Sequence, residues 1–199
     1  VKGLTVRSID GILKLDDVSF IANSGEILGI AGISGCGQKE LLESIAGLQE
    51  CEGEIMYTNP DSNTTSNLKG LDPRTIKKMG VALAFVPEDR LGMGLDGDMG
   101  MTGNMLIRSY RDGRPVLMEQ KKPRALAERI REALGVVTPG INTPVRRLSG
   151  GNVQKVLVGR EIAASPRLLM TAYAVRGLDI NTSMMIYNLL NEQKKKGVA

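Results

Sequence analysis

The chain contains no histidine and no tryptophan, and aromatic residues make up only 3% of its 199 positions. So few rings argue against a module that stacks bases or lines a sugar pocket with aromatic faces. Cysteine is limited to Cys36 and Cys51. With no pair-of-pairs spacing, these two argue against a disulfide framework or a zinc site and fit a reducing compartment. Neither sign of charge dominates: a formal net charge of +4, scattered along the chain, makes no case for nucleic acid as a partner. No apolar run reaches the length of a membrane span, and the N-terminus lacks a signal-peptide pattern, so any membrane role is expected to come through a partner. What is present is 42% apolar and 24% charged residues, the balance of a globular domain with room for one full core. The chain begins at Val1 without an initiator Met and stops at Ala199 after a lysine-rich helical stretch, so it reads as a fragment of something longer. A processed mature protein is the alternative.

Residues 12–20 alternate as a strand does, and Asn23-Ser24-Gly25 makes a turn. Residues 26–31 (EILGIA) form a short apolar run of the kind expected for a buried strand, leading into a glycine-rich turn and a helix through Leu41, Leu42 and Ile45. Further strands are expected at 53–57, 81–86 and 168–171, with a polar loop rich in Asn, Ser and Thr after the first of them. Residues 124–137 carry Leu126, Ile130 and Leu134 at four-residue spacing, an amphipathic helix. A second helix is expected from Ser149 to about Ala164, closed by the breaker Ser165-Pro166. Strands interleaved with helices predict an α/β fold with a parallel-strand sheet, into which a mostly helical middle is inserted. No internal repeat is visible.

The turn at residues 32–39 reads GISGCGQK, close to a P-loop. Such a loop aims backbone N–H groups at phosphates, with Gly32, Gly35 and Gly37 permitting the approach and a helix N-terminus adding positive potential. By itself the pattern is equally compatible with a generic strand-to-helix glycine turn. The Lys-Ser/Thr pair of a P-loop is missing: Gln38 stands at the phosphate-binding lysine and Lys39 at the magnesium-binding hydroxyl. Lys39 is open to two readings, a cation where magnesium would otherwise sit or a solvated helix residue.

The run Leu148-Ser149-Gly150-Gly151-Asn152 is more specific. Ser149 is placed to cap the following helix, while Gly150 and Gly151 leave its first N–H groups open to an anion. This run resembles the signature of ATP-binding-cassette (ABC) ATPases. The family's spacing from the signature serine to the Walker B and D-loop aspartates lands on Ala172 and Asp179, with an apolar strand before the first and Arg176-Gly177-Leu178 before the second. The resemblance spans nearly the whole chain. It is closest to the C-terminal cassette of the tandem ATPases that energise bacterial simple-sugar and nucleoside importers, where the second P-loop often reads as residues 32–41 do here. Val86-Pro87-Glu88-Asp89-Arg90 is similar to that group's Q-loop, with Glu88 at the glutamine position, and the stretch from Thr138-Pro139-Gly140 to Pro144 leans toward the nucleoside branch.

The resemblance implies a P-loop NTPase (RecA-like) core at residues 1–98 and 156–199, an ABC-type antiparallel β portion, and a helical signature subdomain at 99–155. It implies ATP binding through Gly32, Ser34, Gly35, Cys36, Gly37, Gln38, Lys39 and Glu40, with Glu88 at the Q-loop position and Mg²⁺ bound mainly at a partner cassette. It also implies that Ser149, Gly150 and Gly151 act on ATP held by that partner, with Asp179 at the interface. The family's magnesium-holding Asp and water-activating Glu are matched by Ala172 and Tyr173, which supply neither a ligand nor a base near neutral pH. The family's switch histidine would lie beyond Ala199. The implied partners are an N-terminal cassette of the same polypeptide, membrane permease subunits and, indirectly, a periplasmic or lipoprotein solute-binding protein, at the cytoplasmic face of the membrane and without nucleic acid. Rival readings are a cassette of DNA repair or translation, and a purely regulatory nucleotide-binding module.

Overall fold

The computed structural model of the chain describes residues 1–8, 10–33, 35–110 and 119–199. They divide into two compact units, one of Val1–Phe85, Ser165–Ala172 and Glu192–Ala199, the other of Val86–Ala164 and Tyr173–Asn191.

In the first unit β1 (Lys2–Arg7) is the middle strand of an antiparallel sheet, between β2 (Leu13–Val18) and β3 (Glu52–Glu54). Alternation explains it: Leu4 and Val6 are buried on one face, while Thr5 and Arg7 on the other are half-buried and exposed. The strand expected over 53–57 is interrupted at the buried Ile55 and resumes as β4 (Met56–Thr58), which pairs antiparallel with β5 (Thr65–Asn67). The polar stretch read as a loop is therefore partly a hairpin. Asn63 takes its turn at φ 54°, a left-handed conformation that Asn tolerates better than most residues. Helix α1 (Gln38–Ile45) lays Leu41 and Ile45 on a core shared with Leu4, Val6, Leu15, Ile55, Leu68 and Met170. Helix α2 (Pro73–Lys78) starts at Asp72, whose carboxylate accepts the backbone N–H groups of Arg74 and Thr75, with Pro at its first position. Strands β6 (Leu83–Val86) and β7 (Leu168–Thr171) form a two-stranded sheet.

One expectation is overturned. Residues 26–31 make no ladder among the described residues and are exposed, Ile27 by 52% and Ile30 by 48%. An apolar run becomes a strand only when a neighbouring edge takes up its N–H and C=O groups, and no described strand does so here.

The second unit holds a π-helical turn (Arg90–Gly94), α3 (Met101–Ser109), α4 (Lys121–Ala133), a 3₁₀ turn (Val145–Arg147), α5 (Gly150–Ala163) and the first part of α6 (Ile180–Lys195). Helix α4 buries Ile130 and, just beyond its end, Leu134, as the four-residue spacing predicts, while Leu126 is only half-buried and its neighbour Ala127 is buried instead. Helix α5 is different in kind: Val153, Gln154 and every residue from Val156 to Glu161 are buried. A helix covered on all faces is central to its unit. Among those residues are the charged Arg160 and Glu161. The Glu161 carboxylate takes the guanidinium groups of both Arg160 and Arg108, and Arg160 also donates to the carbonyl of Gly94 at 2.6 Å. Burial, with Arg108 nearby, pulls the Arg160 pKa down to about 10. No helix among the described residues is long and apolar enough to cross a membrane.

Candidate functional site

Two sets of expected residues lie in different units and are described separately. The glycine-rich turn leads into α1. Gly35 and Gly37 both hold positive φ, at 86° and 92°, and a Cβ on Gly37 would come within 2.4 Å of the Lys14 carbonyl, so only glycine fits there. Gly32 and Cys36 are exposed, and Ser34 lies outside the described residues. Gln38 folds back over the turn: its Nε2 donates to the Ile33 carbonyl at 3.3 Å and would sit 2.2 Å from a Cβ built on Gly32. Its carboxamide thus covers the start of the loop with a neutral donor. Lys39 points the other way, along the helix, where its Nζ meets Glu43 at 3.8 Å. Of its two readings the structure favours the solvated helix residue, 61% exposed at its side chain. Glu40 is half-buried in the first turn of α1. Burial raises the Glu43 pKa, and Lys39 partly counters it.

The second set converges on the start of α5. Ser149 is the N-cap, in extended conformation, and its Oγ accepts the Asn152 backbone N–H at 3.5 Å. A Cβ on Gly151 would lie 3.7 Å from the Asp179 carboxylate and 3.6 Å from the Thr182 hydroxyl, so this glycine runs beside the start of α6. Asp179 heads that helix, accepting the Thr182 backbone N–H at 2.9 Å. The Thr182 hydroxyl, then its backbone N–H, holds the Asp179 carboxyl below the usual aspartate range.

Glu88 receives the Arg176 guanidinium in an ion pair, and Arg176 lies 5.3 Å above the centre of the Tyr173 ring. Arg90 bridges two loops, donating to the Gly150 carbonyl at 3.4 Å and to the Arg176 carbonyl. Sequence reasoning put Glu88, Ser149, Gly150, Gly151 and Asp179 on its list, and these five come together. It missed Arg90 and Arg176, the two side chains that tie them. The only sequence signal for them is their position, each within a motif but outside its family-defined residues. Buried Gln154 adds a further link, donating to the Ala174 carbonyl at 2.8 Å.

Strand β7 ends at Thr171, as expected, and Ala172 and Tyr173 follow, the latter at φ 50°. Ala172 offers no ligand atom. Among the described residues no group of three or more His, Cys, Asp or Glu side chains is placed to hold a metal ion.

The family model described as ABC transporter matches residues 15–171. The guanosine import ATP-binding protein NupO of Bacillus subtilis is 35% identical over 211 residues, covering all of this chain and 38% of NupO. The xylose import ATP-binding protein XylG of Moorella thermoacetica is 35% identical over 209 residues, again covering all of this chain and 39% of XylG. The chain therefore spans less than two fifths of the length of these relatives. Among solved structures, the dimeric bacterial ABC transporter cassette MJ0796 superposes with a TM-score of 0.80 at 24% identity, over 99% of this chain and 83% of that one. That likeness establishes the fold, the mixed α/β P-loop cassette with its antiparallel β portion and helical insertion. The chain belongs to the ABC transporter family.

Proposed function

We propose that this cassette is the second, C-terminal half of a tandem ATPase that drives import of a simple sugar or nucleoside, and that it serves hydrolysis mainly through its signature. The observation that carries the reading is the intact start of α5, with Ser149, Gly150 and Gly151 beside Asp179. In support, Ala172 and Tyr173 stand at the positions of the family's magnesium-holding Asp and water-activating Glu, so this cassette contributes through its signature.

Transfer of a phosphoryl group to water needs positioned phosphates, neutralised charge and an oriented water. The first need is assigned to the glycine turn, where Gly35 and Gly37 hold the positive φ such a phosphate-binding turn uses. Mg²⁺ does not fit at that turn, because the hydroxyl position is occupied by a lysine paired with Glu43 and the carboxylate position by an alanine. Magnesium and hydrolysis are assigned instead to a partner cassette, the N-terminal half of the same polypeptide, across whose ATP this signature closes. Residues 99–155 act as the helical signature subdomain, and 1–98 with 156–199 as the nucleotide-binding core.

The stretch after Glu88 faces the membrane permease. In support, it borders a cavity of about 530 Å³ whose walls include Leu91, Met93, Asp96, Ile107, Arg108 and Arg160. The whole works at the cytoplasmic face of the membrane, supplied with solute by a periplasmic or lipoprotein binding protein. The importer assignment rests on the relatives named for guanosine, xylose and ribose import.

The test is mutational, in the full-length transporter. Ser149→Arg places a bulky cation at the signature and is expected to abolish transport-coupled hydrolysis. Gln38→Ala is expected to be much milder. Equal loss from both changes overturns the asymmetric assignment.

A further inference from the structure

The neighbour of the signature serine on α5 fixes the direction of its proton. Asn152 Oδ1 accepts the backbone N–H of Val137 at 3.0 Å. A backbone N–H can only donate, so the carboxamide oxygen must face Val137 and the NH₂ must face the opposite way. On that opposite side lies Ser149 Oγ, 3.0 Å from Asn152 Nδ2, and the Asn152 backbone N–H reaches the same oxygen at 3.5 Å. Both of these groups are donors without a lone pair to offer. The two acceptor sites of the hydroxyl are thus taken, and its own proton is used in neither bond. Val137 is held in place from the same helix: Lys155 Nζ donates to the Gly135 carbonyl at 3.2 Å, so α5 grips the turn after α4 at two points.

We infer that Asn152 is a positioning residue that makes the exposed Ser149 hydroxyl an obligate hydrogen-bond donor toward an anionic oxygen, the terminal phosphate of a nucleoside triphosphate held by the opposing cassette. The inference rests on the reading of the signature given above. A phosphate oxygen carries only lone pairs, so a serine whose proton turned inward would meet it lone pair to lone pair. Asn152→Asp keeps the shape but replaces the donor facing Ser149 by an acceptor, which draws the hydroxyl proton inward.

The experiment uses the full-length ATPase assembled with its permease. ATP hydrolysis and melting temperature are compared for wild type, Ser149→Ala, Asn152→Asp, Asn152→Ala and the two doubles with Ser149→Ala. Ser149→Ala and Asn152→Asp are each expected to lower kcat by on the order of tenfold or more, as losing one aligned donor does. Asn152→Ala, which frees the hydroxyl without reversing it, should lose less than Asn152→Asp. In the Ser149→Ala background the two Asn152 variants should match each other and the single mutant within about twofold, since the group they act through is gone. A mere repulsion between the new carboxylate and phosphate would persist in that background. Additive losses therefore overturn the inference, as does an Asn152→Asp enzyme of wild-type rate. Should Asn152→Asp fail to assemble, Asn152→Ala and its double carry the same additivity test. If Ser149→Ala itself hydrolyses at the wild-type rate, the reading of the signature fails, and this inference falls with it.

Discussion

Asp179 shows how a single side chain is tuned by its place at a helix start. The carboxylate is exposed, yet the Thr182 hydroxyl and backbone N–H both donate to it and favour its charged form. A carboxyl held low in the folded protein contributes stability that is complete above the usual aspartate range and is lost as pH falls through the lower folded value. Thr182→Val removes the hydroxyl and keeps the backbone donor. The Asp179 pKa should then rise part of the way toward its ordinary value, read by NMR titration of its carboxyl carbon. No change would mean that the hydroxyl does not reach it. At the same scale, Arg90 gathers two carbonyls that belong to different motifs, those of Gly150 and Arg176. Its guanidinium is the right group, since its planar fork presents several donors at once.

At the scale of elements, α5 has two tasks at opposite ends. Its first turn carries Ser149, Gly150 and Gly151, and its third packs on α4 through Gly159, where an added Cβ would come within 2.7 Å of Ile130 Cγ2 and 2.9 Å of Leu134 Cδ1. Gly159→Ala gains helix propensity of up to about 1 kcal/mol. Overpacking against two side-chain ends costs roughly 1–3 kcal/mol, so the net effect is a loss of about 1 kcal/mol. Denaturant unfolding of the full-length protein checks the sign, and a stabilised variant would show that α4 gives way freely. The signature end, by contrast, should keep its geometry, because Asn152 and Lys155 anchor it to the turn after α4 independently of Gly159.

For the whole molecule, the asymmetry between the two residue sets sets the stoichiometry. On the proposed reading the signature serves the partner's ATP, whereas Ala172 and the Glu43-paired Lys39 supply no magnesium ligand at this cassette's own turn. Trapping ADP with vanadate and Mg²⁺ in the assembled transporter should therefore saturate at one nucleotide per pair of cassettes. Two per pair would place a working site on this chain and overturn the proposal. The cluster of the buried Arg160 and Glu161 with the exposed Arg108 belongs to this scale as well, since it ties α3 and α5 to the Gly94 carbonyl of the π-helical turn after Glu88.

The sequence by itself determined the local elements whose cues are short-range. Strand β7 occupies the expected residues, α5 starts at its capping serine, and α4 with the residue after it buries Ile130 and Leu134 of the spacing that marked it. It also determined that an alanine stands at position 172, whose side chain offers no ligand atom in any fold. Only the tertiary structure decided what depends on partners distant in the chain. Residues 26–31 have the composition of a strand but pair with no described strand. Gln38 turns back over Gly32 while Lys39 turns to Glu43, a choice set by space and charge around α1. The bond from Asn152 to Val137, which directs the proton of Ser149, requires two elements to meet, and no pattern within either one encodes it.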